Sequence, residues 1–110
     1  MNALRRIEGI ELILKLDEVL AELEAGAVFE VSAVPSPFVL GPPSLGRVFA
    51  LYDDKEYGWP EPIEVSAITS MEHLTPARRR HPLVTRNGRP IAMSINLAEY
   101  ARLVAHERDG

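Results

Sequence analysis

The sequence predicts an α+β fold: a small, mainly antiparallel sheet with an N-terminal helix and a C-terminal amphipathic helix. Three observations carry this. Leu16 to Ala25 repeats apolar residues at helical spacing and stops at Gly26. Leu83 to Ile95 places two β-prone runs around Asn87-Gly88. Asn96, with Glu99 three residues later, starts a further amphipathic run.

In chain order, Met1 to Ala25 reads as mainly helical, because Ile13, Leu16, Leu20 and Leu23 fall on one helix face. Ile10, Leu12, Leu14 and Leu16 also alternate as in a strand. The helix is therefore assigned from Asp17 to Ala25, and its upstream extension stays open. Val28 to Val34 is a strand. Pro35, Pro37, Pro42 and Pro43, with Gly41 and Gly46, break regular structure after it. Arg47 to Tyr52 is a second strand, Asp53 to Pro62 a charged turn, Ile63 to Ile68 a third strand, and Ser70 to Arg80 a short helix interrupted by Pro76. Glu30–Ser36 and Glu64–Ser70 agree at five of seven positions, which reads either as a duplication or as two strands with a similar pleat.

In the last third, Leu83-Val84-Thr85 leads into Asn87-Gly88, the pair favoured in a two-residue type I′ turn because both central residues need positive φ. Ile91, Met93 and Ile95 then alternate with Ala92 and Ser94, so the hairpin is expected to bury one face. Pro90 donates no amide hydrogen bond, so its strand lies at an edge there or pairs through its other side. After the Asn96 cap, Leu97, Tyr100, Ala101 and Val104 share one helix face and form the expected dimer or partner interface.

The 110 residues suffice for one domain, and 46% apolar with 25% charged residues is an ordinary globular balance. Residues 1–62 form its divergent N-terminal part, with the Pro/Gly-rich loop, and residues 63–110 the remainder. With no cysteine there are no disulfides or thiolate metal sites and no need of an oxidising compartment, so a cytoplasmic location is expected. No apolar run approaches the roughly 20 residues of a membrane span. Arg5 and Arg6 precede an apolar stretch, but Glu8, Glu11 and Lys15 interrupt it, and the segment is read as part of the folded chain. The net charge of −4 is uneven: residues 1–60 carry five basic and ten acidic side chains, residues 61–110 seven and six. Overall acidity argues against indiscriminate nucleic-acid binding, while five arginines between Ser70 and Ile91 permit a directed phosphate contact.

Residues 83–103, LVTRNGRPIAMSINLAEYARL, resemble the strand–turn–strand–helix of the Phd/YefM family of antitoxins. Those modules carry a Thr-Arg-Asn-Gly-Arg/Lys-Pro turn, an apolar strand and a helix with a Glu-Tyr pair, here Thr85–Pro90, Ile91–Ile95 and Glu99-Tyr100. The resemblance implies a compact α+β module that dimerises, binds operator DNA and neutralises a toxin protein through a C-terminal tail. Two departures stand out. Ser70 to Arg80 is shorter than the family's helical segment before the hairpin, whereas Leu16 to Gly26, LDEVLAELEAG, resembles that helix, with Pro-rich sequence inserted after it. The sequence also ends at Gly110, soon after the last helix, without the usual neutralising tail.

Two functions follow as expectations. The first is an antitoxin-like DNA-binding homodimer that represses its own operon. The second is a protein-interaction module that keeps the hairpin and helix for dimerisation or docking without DNA. The arginines favour the first, and the acidic first half and missing tail favour the second. The DNA-contacting candidates are Arg78, Arg79, Arg80, Arg86, Asn87 and Arg89. Arg86 and Arg89 face each other across the turn, and a phosphate between them would remove the repulsion of like charges; alternatively these arginines simply keep an exposed turn soluble. No catalytic residue, metal or cofactor is expected. His73, His81 and His106 lack metal spacing, and Asp53, Asp54 and Glu56 lack the pattern of a calcium loop. Gly41 to Gly46 lacks the Gly-Lys-Ser/Thr of a phosphate loop, and there is no Gly-x-Ser-x-Gly. Tyr52, Tyr57 and Trp59 either form a partner surface or complete a small core.

Overall fold

A computed structural model describes residues 4–33, 36–51, 59–77 and 80–109, of which residues 48–51, 59 and 109 are described by backbone only. The elements are β1 (Leu4–Glu8), α1 (Gly9–Leu14), α2 (Leu16–Glu24), β2 (Val28–Ser32), β3 (Phe38–Gly41), a 3-10 segment (Pro43–Leu51), β4 (Trp59–Glu64), β5 (Arg80–Arg86), β6 (Arg89–Asn96) and α3 (Leu97–Asp109). Short 3-10 turns, Val65–Ala67 and Met71–His73, lie between β4 and β5. The strands form one sheet in the order β1-β2-β3-β6-β5-β4. The β1–β2 and β4–β5 pairs are parallel and the other three antiparallel. The fold is α+β, as expected, and strands from both halves of the chain share the sheet.

The two faces of the sheet are covered by different elements. Phe29, Val31, Phe38, Leu40, Val84 and Ala92 point to one face, where Leu12 of α1 and Val19, Leu20 and Leu23 of α2 pack on them. Val39, Met93 and Ile95 point to the other and meet Leu45 of the 3-10 segment and Leu103 of α3. The expectation of a hairpin with one buried face is thereby corrected: β6 lies between β3 and β5, and Ile91 to Ile95 are all buried. Ile91 also leaves the face of Met93 and Ile95. The register slips where Val84 pairs with Ala92 but Thr85 with Pro90, so Ile91 is the extra residue of a bulge. Ile91 and Ala92 then both enter the first cluster. Pro90 lies beyond β3, which pairs only with Met93 to Asn96, so its missing N–H interrupts no ladder.

The N-terminal segment is helical from Gly9, not from its start. Leu4–Glu8 is instead a strand parallel to β2, and it runs Arg5 opposite Phe29 and Ile7 opposite Val31. The Arg5 guanidinium stands 5.8 Å from the Phe29 ring centre and pairs with Glu22 at 3.1 Å, so it bridges strand and helix. The helix kinks at Lys15 (φ −118°, ψ 31°), although Lys15 N–H still bonds the Glu11 carbonyl and Val19 N–H the Lys15 carbonyl. Gly26, at φ 103°, ends α2: Gly26 N–H bonds the Leu23 carbonyl and Ala27 N–H the Glu22 carbonyl, both at 3.0 Å, a Schellman closure.

Several expectations between residues 35 and 80 are overturned. The Pro/Gly-rich stretch contains β3, buried throughout and paired on both sides. Arg47–Leu51 is 3-10 helix rather than strand, seated on β6 and α3, with Arg47 ion-paired to Glu107. The expected charged turn gives way to β4 at Trp59, where pairing with β5 extends the chain. The expected third strand ends at Glu64, and Val65–Ala67 turns instead, so the two halves of the Glu-Val-Ser-Ala echo differ in structure. Among its described residues, Ser70–Arg80 holds one 3-10 turn, and Arg80 already belongs to β5. Pro60 and Pro62 lie in β4, the outermost strand on that side, where missing N–H groups are tolerated on the solvent edge. Asp53, Asp54, Glu56, Tyr52 and Tyr57 lie outside the described residues.

Candidate functional site

The expected turn is present with its expected geometry. Asn87 has φ 54° and Gly88 φ 78°, and Arg86 pairs with Arg89 across the two-residue loop. In such a loop the amides of the two central residues are not used by the ladder and need another acceptor. Glu64, the last residue of β4, supplies it. Parallel pairing sets Glu64 beside Thr85. One carboxylate oxygen accepts the Gly88 N–H at 2.6 Å and the Thr85 hydroxyl at 2.9 Å, and the other accepts the Asn87 N–H at 3.0 Å. The tip is therefore an anion cradle with a carboxylate in it. The Gly88 amide holds Glu64 below the usual carboxylate range; its partial burial pushes the other way, and the Thr85 and Asn87 hydrogen bonds add to the lowering.

The arginines are not one cluster. Arg86, Asn87 and Arg89 are exposed together at the tip. Arg86 reaches back to Glu24 of α2, 3.7 Å away. Arg80 starts the same strand six residues earlier, about 20 Å distant at strand rise. There it pairs with Glu61 at 3.1 Å and donates to the Glu72 carbonyl at 3.3 Å. Arg78 and Arg79 lie outside the described residues.

At the start of α3 the Asn96 side-chain oxygen accepts the Glu99 N–H at 2.9 Å, the cap that the sequence indicates. The Glu99 side chain does not complete a capping box. It is 5% exposed, and its Oε2 has no hydrogen-bond partner among the described residues. Burial pushes its pKa up, against the pull of Arg102. The expected interface face is divided. Leu97 and Tyr100 are half-buried on the protein's own second cluster, Val104 is half-buried, and Ala101 is exposed. Leu103, absent from that set, is the deepest anchor of α3 in this cluster. Its helical spacing from Tyr100, three residues, was the available signal. Glu64 had no comparable signal, because its partners lie more than 20 residues away and meet it only through strand register.

The histidines serve separate local roles. His73 Nδ1 accepts the Thr69 N–H at 3.1 Å, His81 is buried and His106 is exposed on α3. Among the described residues no three His, Asp or Glu side chains gather as metal ligands, and no helix is long and apolar enough to cross a membrane. A shallow groove between β1 and the helices is lined by Arg6, Glu11, Lys15, Glu18 and Glu22, a set of mixed sign. The hairpin tip is thus the most developed polar site described, and comparison of the chain with protein-family models, curated proteins and solved structures finds no match.

Proposed function

We propose that the protein is an antitoxin-like, non-catalytic DNA-binding homodimer of the cytoplasm, acting as a repressor, whose hairpin tip contacts the phosphate backbone. The observation that supports this reading most is the tip itself. Two exposed arginines face each other across a turn whose amides and neighbouring hydroxyl already converge on an anion. Contacts of this kind position a protein on DNA without reading bases. The dimer belongs to the same reading: Ile10 and Leu14 of α1, 75% and 78% exposed, are apolar groups that pairing would remove from water.

The test is a salt titration of binding to the protein's own promoter region, wild type beside the Arg86→Ala/Arg89→Ala double variant. Each lost phosphate contact should flatten the log–log salt slope by about 0.9. No binding at low salt, or identical slopes for the two proteins, would dismiss the reading. A monomer in sedimentation at tens of micromolar would dismiss its dimer.

A second reading is a protein-interaction module that docks a partner, such as a toxin, without DNA. It draws support from Glu64 and Glu24, which already neutralise the tip from within the chain.

A further inference from the structure

We propose that the hairpin tip is a phosphate-binding cradle occupied in cis by two carboxylates of its own chain, Glu64 on the turn amides and Glu24 on Arg86, which an incoming phosphate group must displace. The inference rests on the reading of the tip as a phosphate contact and adds its regulation.

The cradle has its donors in place. Two successive backbone N–H groups and the Thr85 hydroxyl point at one carboxylate at 2.6–3.0 Å. A phosphate group offers the same acceptor chemistry in a similar span and can take bidentate bonds from a guanidinium as well. Successive backbone amides in a turn form a general anion-binding concavity. What distinguishes this one is its flanks. Arg86 and Arg89 stand opposite each other on either side of the amides, and both are exposed. Glu64 brings one negative charge to a site with two cations, and Glu24 offsets Arg86 only loosely, at 3.7 Å between exposed groups. A phosphate monoester or inorganic phosphate brings up to two charges, more than the single charge of Glu64, to amide donors flanked by two arginines.

Glu64 is nonetheless a strong competitor, because it is tethered. It ends β4, and the parallel pairing of β4 with β5 holds it beside Thr85, so it meets the donors without the translational entropy that a free anion loses on binding. Its release needs only side-chain rotation, since β4 is anchored by its ladder and not by this carboxylate. The device is therefore a competition between a tethered carboxylate and an external phosphate for the same donors, with Glu24 adding a second, weaker competitor for Arg86.

The experiment follows the Asn87 and Gly88 amide resonances of the full chain by NMR during titration with inorganic phosphate, and in parallel measures binding of a short DNA duplex by fluorescence anisotropy. Wild type, Glu64→Ala and Glu24→Gln are compared. The expected result is that Glu64→Ala responds to phosphate at concentrations about tenfold lower than wild type, and Glu24→Gln about threefold lower, as loss of one competing charge near exposed cations allows. Glu24→Gln also covers the case in which Glu64→Ala fails to fold, because the Glu24–Arg86 pair is exposed and contributes little to stability. Unchanged phosphate affinity in Glu24→Gln and in a folded Glu64→Ala would overturn the proposal and leave Glu64 as a structural staple. Tighter phosphate binding without duplex binding would uphold the cradle while removing the DNA reading. Duplex binding of equal strength in all three proteins would retain the DNA reading and overturn the gate.

Discussion

The Glu64 carboxylate and the Gly88 amide, 24 residues apart in the chain, meet at 2.6 Å and join the end of β4 to the tip of the β5–β6 hairpin. The pairing makes a charged group part of the fold and gives stability a pH dependence with a definite sign. Glu64 is held below the ordinary carboxylate range when folded, so its contribution is present above the unfolded pKa and is lost as pH falls through the lowered folded value. Glu99 is the reverse. Burial raises its folded pKa, so its stability contribution is full below the unfolded pKa and is lost as pH rises through the folded value. Glu64→Gln is expected to destabilise at neutral pH and to converge on wild type in acid. Glu99→Gln is expected to stabilise at neutral pH and also to converge in acid. Denaturation midpoints across the acid range check both.

The turn itself depends on left-handed backbone. A Cβ built at Gly88 meets no atom within 4 Å, so any cost of a side chain there comes from φ alone. Gly88→Val should therefore cost about 1–3 kcal/mol, whereas Gly88→Asn should cost much less, because Asn tolerates this region. Equal losses in urea melts of the two variants would contradict this account of the turn.

On α3, burial keeps most of the expected helix face, removes Ala101 from it and adds Leu103. Leu103 is 3% exposed within the second cluster, whereas Ala101 is exposed. Leu103→Ala should cost about 2–5 kcal/mol, and Ala101→Ser well under 1 kcal/mol. Thermal melts of the two single variants decide the matter.

The Asn96 cap is worth a separate measurement. Its oxygen takes the Glu99 N–H at 2.9 Å at the junction of β6 and α3. Asn96→Ala should cost about 0.5–2 kcal/mol, and amide exchange in the first turn of α3 should accelerate.

Arg80 provides an internal control for the proposed DNA contact. It sits at the far end of β5 from the tip and is engaged by Glu61 and the Glu72 carbonyl. Arg80→Ala should leave the salt slope of DNA binding unchanged while Arg86→Ala lowers it. A shift of the same size in both would return Arg80 to the contact surface.

What was legible in the sequence was local. Asn87-Gly88 and the Asn96 cap each act within a few residues and take their expected form, whereas the alternation after Pro90 fixed the strand but not its burial, which a bulge at Ile91 and pairing on both sides decide. Phe38–Gly41 was hidden because Pro37 and Pro42 flank it and read as breakers, while burial between β2 and β6 makes it a strand. Arg47–Leu51 carries β-prone residues, but its packing on β6 and α3 yields 3-10 helix, a tertiary override of propensity. Leu4–Glu8 has no strand signal strong enough to outweigh the helical spacing downstream, and it becomes a strand through parallel pairing with β2. The same limit applies to the site. Arg86, Asn87 and Arg89 were legible, whereas Glu64, which occupies the cradle, was not, since only the register of β4 on β5 brings it there.

The two margins of the sheet are not equivalent, and this restricts how copies of the protein can join. Pro60 and Pro62 deprive the β4 margin of two donors, so a neighbouring strand finds no continuous ladder there. The β1 margin, Leu4–Glu8, contains no proline. A head-to-tail filament would need a β1 margin to join a β4 margin at every step, and the prolines deny it that joint. Strand addition between copies is confined to β1 meeting β1, an encounter that uses up both receptive margins and so ends at two.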